Sequence, residues 1–130
     1  MIVDSSAIIA ILASEAEGDS MERAIVAAPS RSLSAATYVE TGIVIDSRSN
    51  PNLSRRFDEF LRLMGIRIEP VSTNQARLAR EAFRDFGKGR HRAGLNLGDC
   101  FAYALAKEMG EPLLFKGNDF RRTDVEVAEF

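Results

Sequence analysis

The chain has 130 residues, 45% apolar and 28% charged, with a net charge of -2. This fits one compact domain with a real core, and the near-neutral balance argues against strong non-specific affinity for nucleic acid. No apolar run is long enough to span a membrane, and a single cysteine (Cys100) and a single histidine (His91) exclude an intrachain disulfide, a cysteine zinc site and a two-histidine nuclease.

Met1 leads directly into Ile2 and Val3, with no basic n-region and no small-residue cleavage site, which speaks against a signal peptide. A reducing, cytoplasmic setting is the simplest expectation. Ile2 and Val3 read as a short buried strand ending at Asp4. SSAIIAILASE then carries apolar residues at helical spacing, with Ser5 or Ser6 placed to cap it. A second helix is expected over 20–28, stopping at Pro29, and a short strand over 31–33.

From Ser34, SAATYVETGIVIDSRS reads as a helix in which Ala36, Val39, Ile43 and Val44 share the apolar, core-facing side. Asn50 and Pro51 break it. A helix over 53–64 ends at Gly65, and Ile66, Ile68 and Val71 suggest a strand. Ser72 or Thr73 caps a long helix toward Phe86. GKGRHRAGLNLG reads as a loop. The next helix carries Phe101, Leu105 and Met109 on one side, Pro112 precedes the strand LLF, and 125–127 is expected as a last edge strand. Short strands alternating with helices give an α/β fold with a mainly parallel sheet. Its ligand site is expected beyond the carboxyl ends of the strands.

Four acids fall where such elements begin or end: Asp4, Glu40, Asp99 and Asp119. Asp4 follows the first strand, where a helix N-cap is the plain alternative. Glu40 lies among Ala36, Ile43 and Val44, with no Lys or Arg at those neighbouring helical positions. The plain alternative is a side chain that reaches the surface or a distant arginine. Asp99 sits in a first helical turn, where a carboxylate already complements the dipole, and Gly98 leaves room beside it. Asp119 lies in FKGNDF, ordinary turn chemistry, and Asn118 or Asp124 are alternatives for the same role.

An unpaired buried carboxylate costs several kcal/mol, so acids placed this way imply a shared cation. Hard oxygen ligands suit Mg²⁺ or Mn²⁺, with Asp4, Glu40 and Asp99 as the expected ligands. Such an ion activates water and neutralises charge at a phosphate. Ser6 is placed to hydrogen-bond an acid or a water at the ion.

MIVDSSAIIAIL, SAATYVETGIVI, GLNLGDCFAYALA and LLFKGNDF resemble, in order and spacing, the four acidic motifs of PIN-domain ribonucleases. Within these the chain is similar to VapC toxins of bacterial toxin–antitoxin pairs, and FGKGRHRAGLNLGDCF narrows the likeness to one VapC subgroup. The resemblance implies a single PIN domain over 1–130, a three-layer α/β sandwich. It implies Mg²⁺- or Mn²⁺-dependent endonucleolytic cleavage of RNA. It also implies a homodimer, inhibited by a VapB antitoxin whose C-terminal segment inserts near the active site. Asp4, Glu40 and Asp99 match the three strongest acidic positions. The fourth motif departs: many members carry Asp or Asn two residues before the final Asp-Phe, where this chain has Gly117, and the fourth role passes to Asp119.

From Arg84 to Arg92 the chain holds Arg84, Lys88, Arg90 and Arg92 against one acid, Asp85. Lys88, Arg90 and Arg92 are the expected RNA contacts, positioning the backbone rather than reading bases. A solvated loop is the plain alternative. Arg121 with Arg122, and Arg55 with Arg56, are further candidates, and His91 is a contact or an idle surface residue. The surplus of apolar residues on the first helix (Ile8, Ile9, Ile11, Leu12) is either core or a surface for a partner.

Three other classes compete. A receiver-like phosphorylated switch would want adjacent acids after the first strand, but Asp4 stands between Val3 and Ser5, and a dehalogenase-type phosphatase would want an acid where Ser6 stands. A non-catalytic RNA- or protein-binding module would gain nothing from acids that repel phosphate.

Overall fold

A computed structural model describes all residues, 1–130. In chain order the elements are β1 (Ile2–Val3), α1 (Ser5–Leu12), α2 (Gly18–Ala27), β2 (Ser32–Ser34), α3 (Ala35–Asp46), α4 (Pro51–Leu63), β3 (Arg67–Glu69), α5 (Thr73–Phe86), α6 (Leu97–Met109) and β4 (Leu113–Leu114). A 3₁₀ turn over Phe120–Arg122 follows. The strands form one sheet, ordered β3-β2-β1-β4, with every pair parallel.

Alternation along each strand divides the core. Ile2 and Leu113 point to one face, where α5 and α6 cover them with Ala79, Ala82, Cys100 and Leu105. Val3, Leu33 and Leu114 point to the other, beneath α1 to α4 with Ile8, Ile25, Ile45 and Phe57. The result is the expected three-layer α/β sandwich. β1 and β4 are apolar on both sides because both sides are covered. β3 is the edge, and Arg67 and Ile68 are exposed on it. Ile8, Ile11 and Leu12 are core, each contributing roughly 1.5–3 kcal/mol of burial. No helix is long and apolar enough to cross a membrane.

Several boundaries differ from the sequence expectations for local reasons. α1 stops at Leu12 rather than reaching Glu15, because Ser14 turns the chain at φ +54°. Gly18 then packs on α1 so closely that a Cβ would lie 2.8 Å from the Ala10 carbonyl oxygen. Asn50 and Pro51 not only end α3 but start α4: the Asn50 side chain accepts from the Asn52 and Leu53 amides at 3.1 and 3.4 Å, and Pro51 occupies the first turn. The strand around Pro70 closes at Glu69. Val127 makes an isolated parallel bridge to Leu113, so 125–127 is not a full strand.

The largest correction concerns α3. Its buried residues are Thr37, Thr41 and Ile45. The apolar stripe is not core: Val39 is 56% exposed and Ile43 64%, while Ala36 and Val44 are half-buried. Thr41 can be buried because its Oγ1 donates to the Thr37 carbonyl at 2.7 Å, within the helix itself, whereas Thr37 Oγ1 is buried without a hydrogen-bond partner.

Candidate active site

Asp4 leaves the carboxyl end of the central strand β1 and caps α1. One carboxylate oxygen, Oδ2, accepts from the Ser6 amide at 3.0 Å and from Ser6 Oγ at 2.6 Å. The capping alternative is therefore realised at Asp4, in place of Ser5 or Ser6. Asp4 is only 3% exposed, and burial pushes its carboxyl above the usual range against the lowering effect of Ser6. Ser6 Oγ also accepts from the Lys116 amide at 2.9 Å, tying the β1–α1 junction to the loop after β4.

Ser34 ends β2 and caps α3, which carries Glu40 toward the same sheet edge. Ser5 Oγ donates to Glu40 Oε1 at 3.0 Å. The other oxygen of Glu40 lies against the backbone of Gly98, in the space a side chain there would fill. Burial raises the Glu40 carboxyl, and the charge of Asp4 adds to the effect.

Asp99 occupies the third position of α6 in a capping box. Its amide donates to Asn96 Oδ1 at 2.8 Å, and its Oδ2 accepts from the Asn96 amide at 2.9 Å. Its carboxyl is pushed up to about 6, chiefly by burial, against the lowering effect of the Asn96 amide and with the charges of Asp4, Glu40 and Asp119 contributing in the same direction as burial. Four acids drawn from α1, α3, α6 and the 3₁₀ turn thus act on one another at the carboxyl end of the sheet. None of them forms an ion pair. The cation of the neighbouring loop, Lys116, is held by Glu15 and Glu17.

Asp119 is exposed at the start of the 3₁₀ turn, just past Gly117 at φ +102°. The alternative at Asp124 is otherwise engaged: it accepts from Tyr103 Oη at 2.6 Å and Lys107 Nζ at 3.1 Å. No three His, Cys, Asp or Glu side chains stand close enough to grip one metal ion among them. The donor set still fits Mg²⁺ or Mn²⁺, because Mg²⁺ keeps several waters and takes only one or two carboxylates directly. Uncompensated carboxylates, one of them titrating near 6, are the chemistry such an ion relieves.

Lys88, Arg90 and Arg92 are exposed on the loop between α5 and α6, and none of them is ion-paired. They do not form one cluster. Arg90 lies over the Phe83 ring at 5.8 Å. The Arg92 carbonyl accepts from Arg122 Nη1 at 2.9 Å, which ties this loop to the turn carrying Asp119. His91 holds the loop together: its Nδ1 accepts from the Ala93 amide at 3.0 Å, and its ring meets the edge of Phe86. Ser5 and Lys116 did not stand out by sequence, since only the fold brings them to Glu40 and Ser6. Between α3 and α6 lies an apolar cleft of about 570 Å³ that holds Val39, Ile43, Leu97 and Phe101 beside Glu40.

A parallel α/β sandwich with acids gathered beyond the carboxyl ends of its strands places the chain among the α/β domains that carry an acidic site at the sheet edge. The PIN domain family model matches residues 1–126. Ribonuclease VapC28 of Mycobacterium tuberculosis is 54% identical over 129 residues, covering 98% of this chain and 97% of that protein. A Ribonuclease VapC of Mycolicibacterium smegmatis is 50% identical over 125 residues, 96% and 97% of the two chains. Among solved structures, Mycobacterium tuberculosis VapC20, described as a sarcin–ricin loop cleaving toxin, superposes with a TM-score of 0.76 at 18% identity, over 95% of each chain. A chain of a toxin–antitoxin complex from Klebsiella pneumoniae gives 0.67 at 18% identity, over 92% of this chain and 88% of that one. The chain belongs to the PIN-domain family and, within it, to the VapC group.

Proposed function

We propose that this chain is an endoribonuclease that uses Mg²⁺ or Mn²⁺ and serves as the toxin of a VapB–VapC toxin–antitoxin pair. The observation that carries the reading is the meeting of Asp4, Glu40 and Asp99 at one sheet edge with no Lys or Arg to neutralise them. Relatives at 50% and 54% identity that are named ribonucleases support RNA as the substrate.

One or two of Asp4, Glu40 and Asp99 would hold the ion directly and the rest through its waters, and its chemistry would be activation of water and neutralisation of charge at the scissile phosphate. Ser6 fixes the Asp4 carboxylate through two hydrogen bonds, and Ser5 fixes Glu40 through one. The capping box holds Asp99 in a single orientation on a rigid helix. Asp119, at the exposed mouth, would hold a second ion or orient the nucleophile. Lys88, Arg90 and Arg92 position the RNA backbone.

The chain acts in the cytoplasm as a homodimer under control of a VapB-type antitoxin. A dimer is supported by one face on which Val39, Ile43 and Leu97 are 56%, 64% and 74% exposed around the same cleft. The test is cleavage of RNA by the purified chain with Mn²⁺, with EDTA, and in the Asp4→Asn and Asp99→Asn proteins. Cleavage is expected only with metal and only with both acids present. Undiminished cutting in EDTA or by either variant would reject the reading.

A further inference from the structure

Where α5 meets the loop that follows it, three arginines line a separate cleft of about 220 Å³: Arg80, Arg84 and Arg90, with Phe83 as its apolar wall. Arg80, Phe83 and Arg84 recur at three- and four-residue spacing, so they share one side of α5. Arg90 reaches back from the loop and lies over the Phe83 ring at 5.8 Å, and the ring itself is 39% exposed. The loop is held in this position because Gly87 packs on the preceding turn, where a Cβ would come within 2.2 Å of the Phe83 carbonyl oxygen.

No acid lines the cleft, and none of the three guanidinium groups has a salt-bridge partner. The two acids of α5, Glu81 and Asp85, lie one position further round the helix. Their charge also reaches Tyr103 of α6. From Thr73 to Asn96 the chain carries six Arg or Lys against two acids, in a protein whose net charge is -2. Like charges four residues apart on a helix oppose folding; Arg84 complements the carboxyl end of α5, but Arg80 has no such place and no ion-pair partner. Planar guanidinium forks converging on a shallow cleft suit phosphate oxygens.

We infer that the Arg80–Arg84–Arg90 cleft extends the RNA contact of Arg90 onto α5, binding a backbone phosphate of single-stranded RNA outside the cleft that holds Glu40. Phe83 is a positioning residue that holds Arg90 over its ring. The choice of RNA as ligand rests on the ribonuclease reading above. The carboxylates repel the phosphate chain they act on, and a cationic anchor supplies the affinity that they cannot.

Binding of a fluorescein-labelled single-stranded RNA to the full chain, carrying Asp99→Asn to prevent cleavage, is followed by anisotropy over a salt series. Each phosphate contact contributes about 0.7 to the slope of log K against log salt for single strands. Arg80→Ala with Arg84→Ala is expected to weaken binding and reduce the slope by about 0.7, the share of the one phosphate they hold. Arg80→Lys with Arg84→Lys keeps the slope, and Phe83→Ala lowers affinity with the slope kept, because the charges remain. Wild-type affinity and slope in the double alanine protein would overturn the proposal, as would a change in self-association with RNA binding intact. RNA cleavage by the unmutated chain is measured in parallel. Cleavage with unaltered binding rejects the cleft alone, whereas no cleavage with binding lost in the alanine protein rejects the ribonuclease reading and supports the cleft.

Discussion

Gly98 and Glu40 share one volume: a Cβ at Gly98 would sit 1.2 Å from Glu40 Oε2. Gly98 lies in the first turn of α6, one residue before Asp99, so its missing side chain lets a carboxylate from α3 approach a carboxylate of α6. Ordinarily alanine in place of a helical glycine gains roughly 0.5–1 kcal/mol. Here Gly98→Ala is expected to lower the melting temperature, because either Glu40 must leave or α6 must move. Displacing Glu40 by an ångström or so reduces cleavage by up to about a hundredfold. Circular dichroism melts and cleavage rates on the same protein check both effects; a raised melting temperature with normal cleavage would contradict the contact.

Asp99 gives a pH dependence whose sign is defined. Its carboxyl titrates near 6 in the folded chain, against an ordinary 3.8, chiefly because it is buried. Between those values the folded state binds more protons than the unfolded one, so stability falls as pH rises from about 4 to 6. The burial-raised carboxyls of Asp4 and Glu40 act in the same direction. Asp99→Asn keeps the hydrogen bonds of the capping box and removes the charge. The variant is expected to melt higher than the unmutated chain in EDTA at pH 7, with the difference shrinking toward pH 4. Mn²⁺ should raise the melting temperature of the unmutated chain at pH 7 and do so far less at pH 5, where protons compete for the ligand. Equal melting curves for the two proteins at all pH values would show that Asp99 carries no such strain.

These two residues also show how far the primary structure could be read. Asp4, Glu40 and Asp99 were legible because each is a carboxylate among apolar neighbours, and the strand–helix alternation pointed their elements to one sheet edge. The face of α3 was not legible. Helical periodicity says which residues share a side, not which side is covered. Val39 and Ile43 looked like core, yet Thr37 and Thr41 are the buried pair, the Thr41 hydroxyl having been satisfied by its own helix. The arginine cleft escaped notice for a similar reason: Arg80 lies in an ordinary helical segment, and only the turn at Gly87 brings Arg90 back over Phe83.

The choice between Asp119 and Asp124 depended on a contact across 21 residues that spacing does not reveal. Asp124 accepts from Tyr103 at 2.6 Å and from Lys107 at 3.1 Å, and these bonds hold its carboxyl below the usual range. Asp124→Ala is therefore expected to cost about 1–2 kcal/mol of stability and to leave cleavage intact. Asp119→Asn, at an exposed position, is expected to leave the melting temperature unchanged and reduce cleavage. Thermal melts and cleavage rates of the two variants side by side decide the matter, and the opposite pattern would transfer the fourth role to Asp124.

Ser6 joins the two ends of the site. Its hydroxyl donates to Asp4 Oδ2 at 2.6 Å and accepts from the Lys116 amide at 2.9 Å. Ser6→Ala leaves Asp4 with the Ser6 amide alone and frees the Lys116 amide, at a cost of about 1 kcal/mol and a melting temperature lower by a few degrees. If the hydroxyl only supported the fold, cleavage at a temperature well below melting would be unaffected. Because it also fixes the Asp4 carboxylate and draws the loop of Asp119 toward α1, cleavage is expected to fall roughly tenfold or more even there. Ser6→Thr keeps the hydroxyl and should restore most of the rate. A Ser6→Ala protein that melts lower but cleaves normally at low temperature would reduce Ser6 to a capping residue.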